Sequence, residues 1–144
     1  MSSTLPSFRT ALKTVLEANV TLTDAGVKVS KYLAPNIDGE AWIEFTSAEL
    51  DQAYQAQDTR KESYDLRVNI WSLIPGAGDA KATTAETNVL AWADEIAAEI
   101  KADKTMDGTV THCEWVGGQV DNEVTDGGRW CLFVGQITVK AFNL

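Results

Sequence analysis

Histidine occurs once in the 144 residues, as His112, and cysteine twice, as Cys113 and Cys131. That leaves too few ligands for a structural zinc site, which takes four from closely spaced pairs. Two cysteines make no disulfide framework, and a reducing compartment is the simpler expectation. If residues 112–113 lie in a strand, they cannot form a Cys–His nucleophile pair, because neighbours there point to opposite faces. Basic residues are also scarce. The 12 Lys and Arg stand against 21 Asp and Glu, a net charge of −9. That argues against neutralising a nucleic-acid backbone, which needs clustered cations. Long apolar runs are missing: none approaches the roughly 18–20 residues of a membrane span. The opening MSSTLPSFRTALKTVL has no charged segment leading into an apolar block, so no secretory signal is expected.

Ligand-binding motifs fail one by one. Gly76-Ala-Gly78-Asp-Ala-Lys81 sits between a predicted strand and helix, where phosphate loops occur. It lacks the GxxxxGK[ST] spacing, Lys81 takes the third glycine of a dinucleotide loop, and Asp79 would repel phosphate. It reads as a connector. Asp121, Glu123 and Asp126 resemble calcium-loop ligands, but Thr125 stands at the fifth position and Asp126 where the glycine belongs. No paired carboxylates can be placed in one cleft. No enzymatic activity, metal or cofactor is therefore expected.

What is present is an ordinary globular composition, 44% hydrophobic and 23% charged. One domain is expected, large enough to bury about 68–70% of its unfolded surface. Its longest helix-forming run is Thr83–Lys104. Val89, Ala93, Ile96, Ala97 and Ile100 draw one apolar stripe at helical spacing. Leu90 and Trp92 flank it, while Asp94, Glu95 and Glu99 point away. Thr83 and Glu86 have the spacing of a capping box, and Lys101 and Lys104 suit the negative end of the helix. A second helix is predicted over Thr4–Asn19, capped by Thr4, with Leu5, Phe8, Leu12, Val15 and Leu16 inward. Arg9, Lys13 and Glu17 are predicted to face solvent.

Strands are expected at Val27–Leu33 (peripheral), Ala41–Thr46, Ser63–Ile74, Gly108–Val116 and Arg129–Phe142, with a turn at Pro35, Asn36, Asp38 and Gly39. Polar residues 47–62 read as a long connection, and the glycine-rich, acidic stretch 117–128 as the loop of a final hairpin. Closing that hairpin with Gly117 opposite Arg129 puts Cys113, Trp115, Cys131, Phe133, Ile137 and Val139 on one face. His112, Glu114, Trp130, Leu132 and Val134 take the other. The cysteines become diagonal neighbours about 7–8 Å apart, beyond disulfide reach. The order α-β-β-β-α-β-β predicts an α+β fold: one antiparallel sheet with two helices packed on one face. The second face is apolar and free for a partner. Candidate assembly residues are Trp71, Trp130, Leu132 and Val134 on that face, Tyr54 in the 47–62 connection, and Asp121 and Glu123 in the acidic loop.

The whole-chain pattern resembles the tail terminator proteins of long-tailed bacteriophages, the lambda-type family. The resemblance lies in the short N-terminal helix, the V-x-V strand and the alternating strand SYDLRVNIW. It continues through the helix ending A-x-x-I-x-x-D-x-T-x-D-G-x-V (Ala97–Val110) to the final alternating strand GQITVKAF. It covers nearly the full length, and no single position in it is diagnostic. It implies a non-enzymatic ring, commonly a hexamer, that caps the tail tube and receives the head connector. The partners implied are other copies of the chain, the tail tube protein and the head–tail connector proteins. DNA passes through the lumen without specific binding, and no membrane is involved. The implied location is the virion, after synthesis in the host cytoplasm. A neck or head-completion protein and a small ligand-binding module are the alternative readings.

Overall fold

The computed structural model describes residues 3–33, 40–54, 60–125 and 128–142. Helix α1, Leu5–Ala18, buries Phe8, Leu12 and Leu16, and Pro6 is tolerated in its first turn. Thr4 occupies the N-cap without making a side-chain cap. Its amide and hydroxyl instead donate to the Glu62 carboxylate at 3.0 and 2.9 Å, so a strand residue caps the helix from across the fold. Lys13 and Glu17 pair on the surface as their spacing predicts. Arg9 departs from expectation and is buried. Its guanidinium donates to the carbonyls of Lys31, Phe45 and Thr46 and lies over the Tyr32 ring. Asn19 ends α1, and its side chain accepts from the Leu22 amide to start a short helix, α2, Val20–Asp24.

Helix α3 spans Asp79–Ala102 and starts four residues before Thr83. Thr83 is therefore inside the helix, its hydroxyl on the Asp79 carbonyl, and the expected capping box does not form. Gly78 holds the N-cap at φ 104°, a backbone conformation suited to glycine. The buried stripe is Ala85, Val89, Trp92, Ala93, Ile96 and Ile100, with Leu90 exposed. Glu95 and Glu99 do not simply face water. Both accept from the Asn19 amide group at 3.1 and 3.0 Å, tying α3 to the α1–α2 junction.

Five strands form one sheet in the order β1-β2-β3-β5-β4: β1 Lys28–Ser30, β2 Ala41–Tyr54, β3 Arg60–Ile74, β4 His112–Thr125 and β5 Gly128–Phe142. The expected antiparallel sheet is corrected to a mixed one, since edge strand β1 runs parallel to β2. The predicted turn at Pro35, Asn36, Asp38 and Gly39 lies outside the described residues. Both polar stretches read as loops are largely strand. Residues 47–54 continue β2 past a bulge after Phe45, and 60–62 open β3. Residues 117–125 continue β4 past a bulge at Val116. The two hairpins project from opposite ends of the sheet, because β3 and β5 are antiparallel with Lys61 opposite Phe142 and Ile74 opposite Arg129.

The core lies between the helices and the face carrying Ile43, Phe45, Leu66, Val68, Ile70, Phe133, Ile137 and Val139. Cys113 and Cys131 both belong to it as free thiols, pushed up to about 11 mainly by burial. The diagonal placement of the cysteines is overturned. Cys113 pairs with Val139 and Cys131 with Asn122. Val139 and Cys131 are eight residues apart on β5, a span of roughly 26 Å.

Candidate functional site: the open face of the sheet

The helices cover one side of the sheet. Strand alternation sends Trp42 and Glu44 of β2, Arg67, Asn69, Trp71 and Leu73 of β3, and Trp130, Leu132 and Val134 of β5 to the other. The register lines them up. Trp42 faces Trp71, which faces Leu132, which faces Asp121. One row along, Glu44, Asn69, Val134 and Gln119 stand side by side. Trp71 and Trp130 pack edge to face at 5.6 Å between centroids. Glu44 is buried on this face, its carboxylate accepting from Asn69 Nδ2 at 3.2 Å and Trp71 Nε1 at 3.3 Å. The carboxylate thereby fixes the orientation of Trp71.

The structure gathers six of the seven candidate assembly residues. Trp71, Trp130, Leu132 and Val134 are half-buried on the open face, and Asp121 and Glu123 border it as exposed positions opposite Leu132 and Trp130. Tyr54 is not among them. It ends β2 opposite Arg60, eleven residues from the Trp71 level on β3, or roughly 36 Å. Sequence reasoning missed the contribution of β2. Strand alternation already separated Trp42 and Glu44 from Ile43, but only the register shows them beside Trp71.

The same face changes character along its strands. At the end near the β2–β3 hairpin it carries Glu49, Asp51, Asp65, Thr138 and Lys140, around a shallow depression of about 590 Å³. A second depression of about 580 Å³ lies under Tyr32 and Leu33, floored by Thr46, Ser47, Arg67 and Asn69. Against the helices, a third of about 640 Å³ runs between α1 and the turn after α3, where Asp103 accepts from the Asp107 amide at 2.8 Å. That bond, with help from Thr105, holds the Asp103 carboxyl below its usual range. Among the described residues, no group of three His, Cys, Asp or Glu is placed to hold a metal ion. His112 and Cys113 point to opposite sides, half-buried and fully buried respectively. No described helix is long and apolar enough to cross a membrane.

Fold and site together define a mixed α+β protein whose most distinctive surface is an aromatic sheet face with an acidic border. No family model matches the chain, and no curated protein matches it. Among solved structures it is similar to a chain in the virion of a native gene transfer agent particle. The TM-score is 0.51 at 12% identity, over 92% of this chain and 94% of that one. At that identity the likeness is one of fold.

Proposed function

We propose that this chain is a structural protein of a phage-like virion and, more narrowly, a tail terminator. In this reading copies assemble into a ring, a hexamer, that caps the finished tail tube, receives the head connector and catalyses nothing. DNA passes through its lumen without specific binding. The observation that carries the proposal is the end-to-end fold likeness to a chain of a virion particle, with both chains covered above nine-tenths. The aromatic face supports it, because a sheet face bearing Trp71, Trp130, Leu132 and Val134 suits packing against another protein. The net charge of −9 suits a ring through which DNA must move without sticking.

Mixing the purified chain with polymerising tail tube protein tests the role. Tubes that stop at a defined length with a ring seated on one end are the expected result. Tubes that grow unchecked, while the chain binds the head connector, would replace the terminator role with a neck role.

A further inference from the structure

We infer that the depression under Tyr32 and Leu33 is a docking site for a carboxylate, the side chain of an aspartate or glutamate that a partner protein presents beside an apolar residue. The inference stands apart from the ring proposed above and does not depend on it.

Four side chains able to donate hydrogen bonds line this depression: Tyr32, Thr46, Ser47 and Arg67. Among the described residues, the phenol, the two hydroxyls and the Arg67 guanidinium have no hydrogen-bond or ion-pair partner. No described carboxylate lines the depression. The remaining polar wall, Asn69, has its amide nitrogen committed to Glu44. The β2 bulge makes the arrangement. Phe45 faces Val68 and Ala48 faces Leu66, so Thr46 and Ser47 together stand opposite Arg67, on the middle strand of the sheet. Such two-for-one pairing re-aims side chains that strict alternation sends to opposite faces. Arg9, only 6% exposed, fixes the bulge from α1. It donates to the Phe45 and Thr46 carbonyls, and its guanidinium carbon lies 4.7 Å from the centre of the Tyr32 ring. A buried residue thus holds both the bulge and the aromatic wall. The hydrogen bonds of Arg9 go to carbonyl oxygens and not to a carboxylate, so its charge adds to that of Arg67.

The surroundings choose the anion. Asp65, two residues from Arg67 on β3, stands directly opposite Glu49 on β2, and the chain as a whole carries −9. A nucleic-acid backbone would bring further negative charges against these carboxylates, whereas a single side-chain carboxylate meets the Arg67 fork alone. The planar guanidinium matches a carboxylate with two parallel hydrogen bonds, and the Thr46 and Ser47 hydroxyls can donate to the same group. Tyr32 and Leu33 stand 55% and 67% exposed beside it, an apolar wall for the residue next to the acid.

The test titrates the full isotope-labelled chain with acetyl-leucyl-aspartyl amide at millimolar concentrations and follows the Arg67 Nε–H and the Ser47 and Asn69 amides by NMR. Saturable shifts at these positions are expected. The asparaginyl counterpart keeps the shape of the probe and loses its charge, and it is expected to bind at least about tenfold more weakly. Arg67→Gln is expected to weaken the aspartyl probe by about the same factor with an unchanged circular dichroism spectrum. The absence of saturable shifts, equal binding of the asparaginyl probe, or undiminished binding to a folded Arg67→Gln each overturns the site. The asparaginyl comparison uses the wild-type chain, so it decides even where the variant fails to fold. Inorganic phosphate that binds more tightly than the aspartyl probe overturns the choice of a carboxylate. None of these outcomes bears on ring formation, so failure of this site and failure of the ring reading are told apart.

Discussion

Glu62 sits in the core face with no exposure, yet its carboxyl is held down to about 2 from an ordinary value of 4.5. Burial alone would raise it. Hydrogen bonds from Ser3, Gln52 and Thr4 favour the charged form more strongly. A carboxyl depressed on folding stabilises the protein above its unfolded value, and that stability is lost as pH falls through the folded value. The melting temperature should therefore drop between about pH 4.5 and about pH 2 in the wild type. Glu62→Gln should flatten that drop and cost about 1–3 kcal/mol at pH 7. Thermal melts across pH read both, and an unchanged acid limb would remove Glu62 from the account. Arg9 plays a similar role at the β2 bulge. Arg9→Met would strand the carbonyls of Lys31, Phe45 and Thr46 and cost about 3 kcal/mol in denaturant titration. Neither residue was legible as a core position. Thr4 reads as a self-sufficient cap and Arg9 as a solvent position, because helical spacing carries no information on what the strands bring to a helix end.

At the scale of the element, β4 and β5 touch most closely at Gly118 and Gly135. A Cβ on Gly118 would lie 1.8 Å from the Val134 carbonyl oxygen, and one on Gly135 would lie 2.3 Å from the Trp115 ring. Trp115 lies across the bare Gly135 backbone and stacks on Phe133 at 5.9 Å. Gly118→Ala should cost more than Gly135→Ala, because backbone yields less readily than a side chain. Losses of about 1–3 kcal/mol are expected in denaturant titration, and the reverse order would contradict this packing. These glycines explain why the hairpin was misread. Gly117, Gly118 and the acidic residues after them carry turn composition, but here the glycines serve a bulge and a close strand approach. Alternation was reliable where it ran unbroken, as in Ser63–Ile74 and Arg129–Phe142. Both strands and their inward faces appear where expected. The bulges at Val116 and after Phe45 each shift the period by one residue, and a two-residue period cannot be followed through such a shift.

Among the described residues, the sheet has one face covered by the helices and one that no helix covers, where Trp42 and Glu44 are nonetheless buried. Much of that open face was legible, since alternation alone places Trp71, Trp130, Leu132 and Val134 away from the core. The parallel β1 was not, because it depends on which strands are neighbours. If the open face serves assembly, Trp130→Glu or Leu132→Glu should abolish rings and leave the monomer folded, as judged by its circular dichroism spectrum and melting. Unfolding instead would make that face part of the core. The central claim is that this chain assembles with itself into a closed ring, and native mass spectrometry of the purified wild-type protein tests it most directly. The account predicts one dominant species whose mass is six times the 15.7 kDa chain. A species that remains a 15.7 kDa monomer at every concentration, and in the presence of tail tubes, would contradict it.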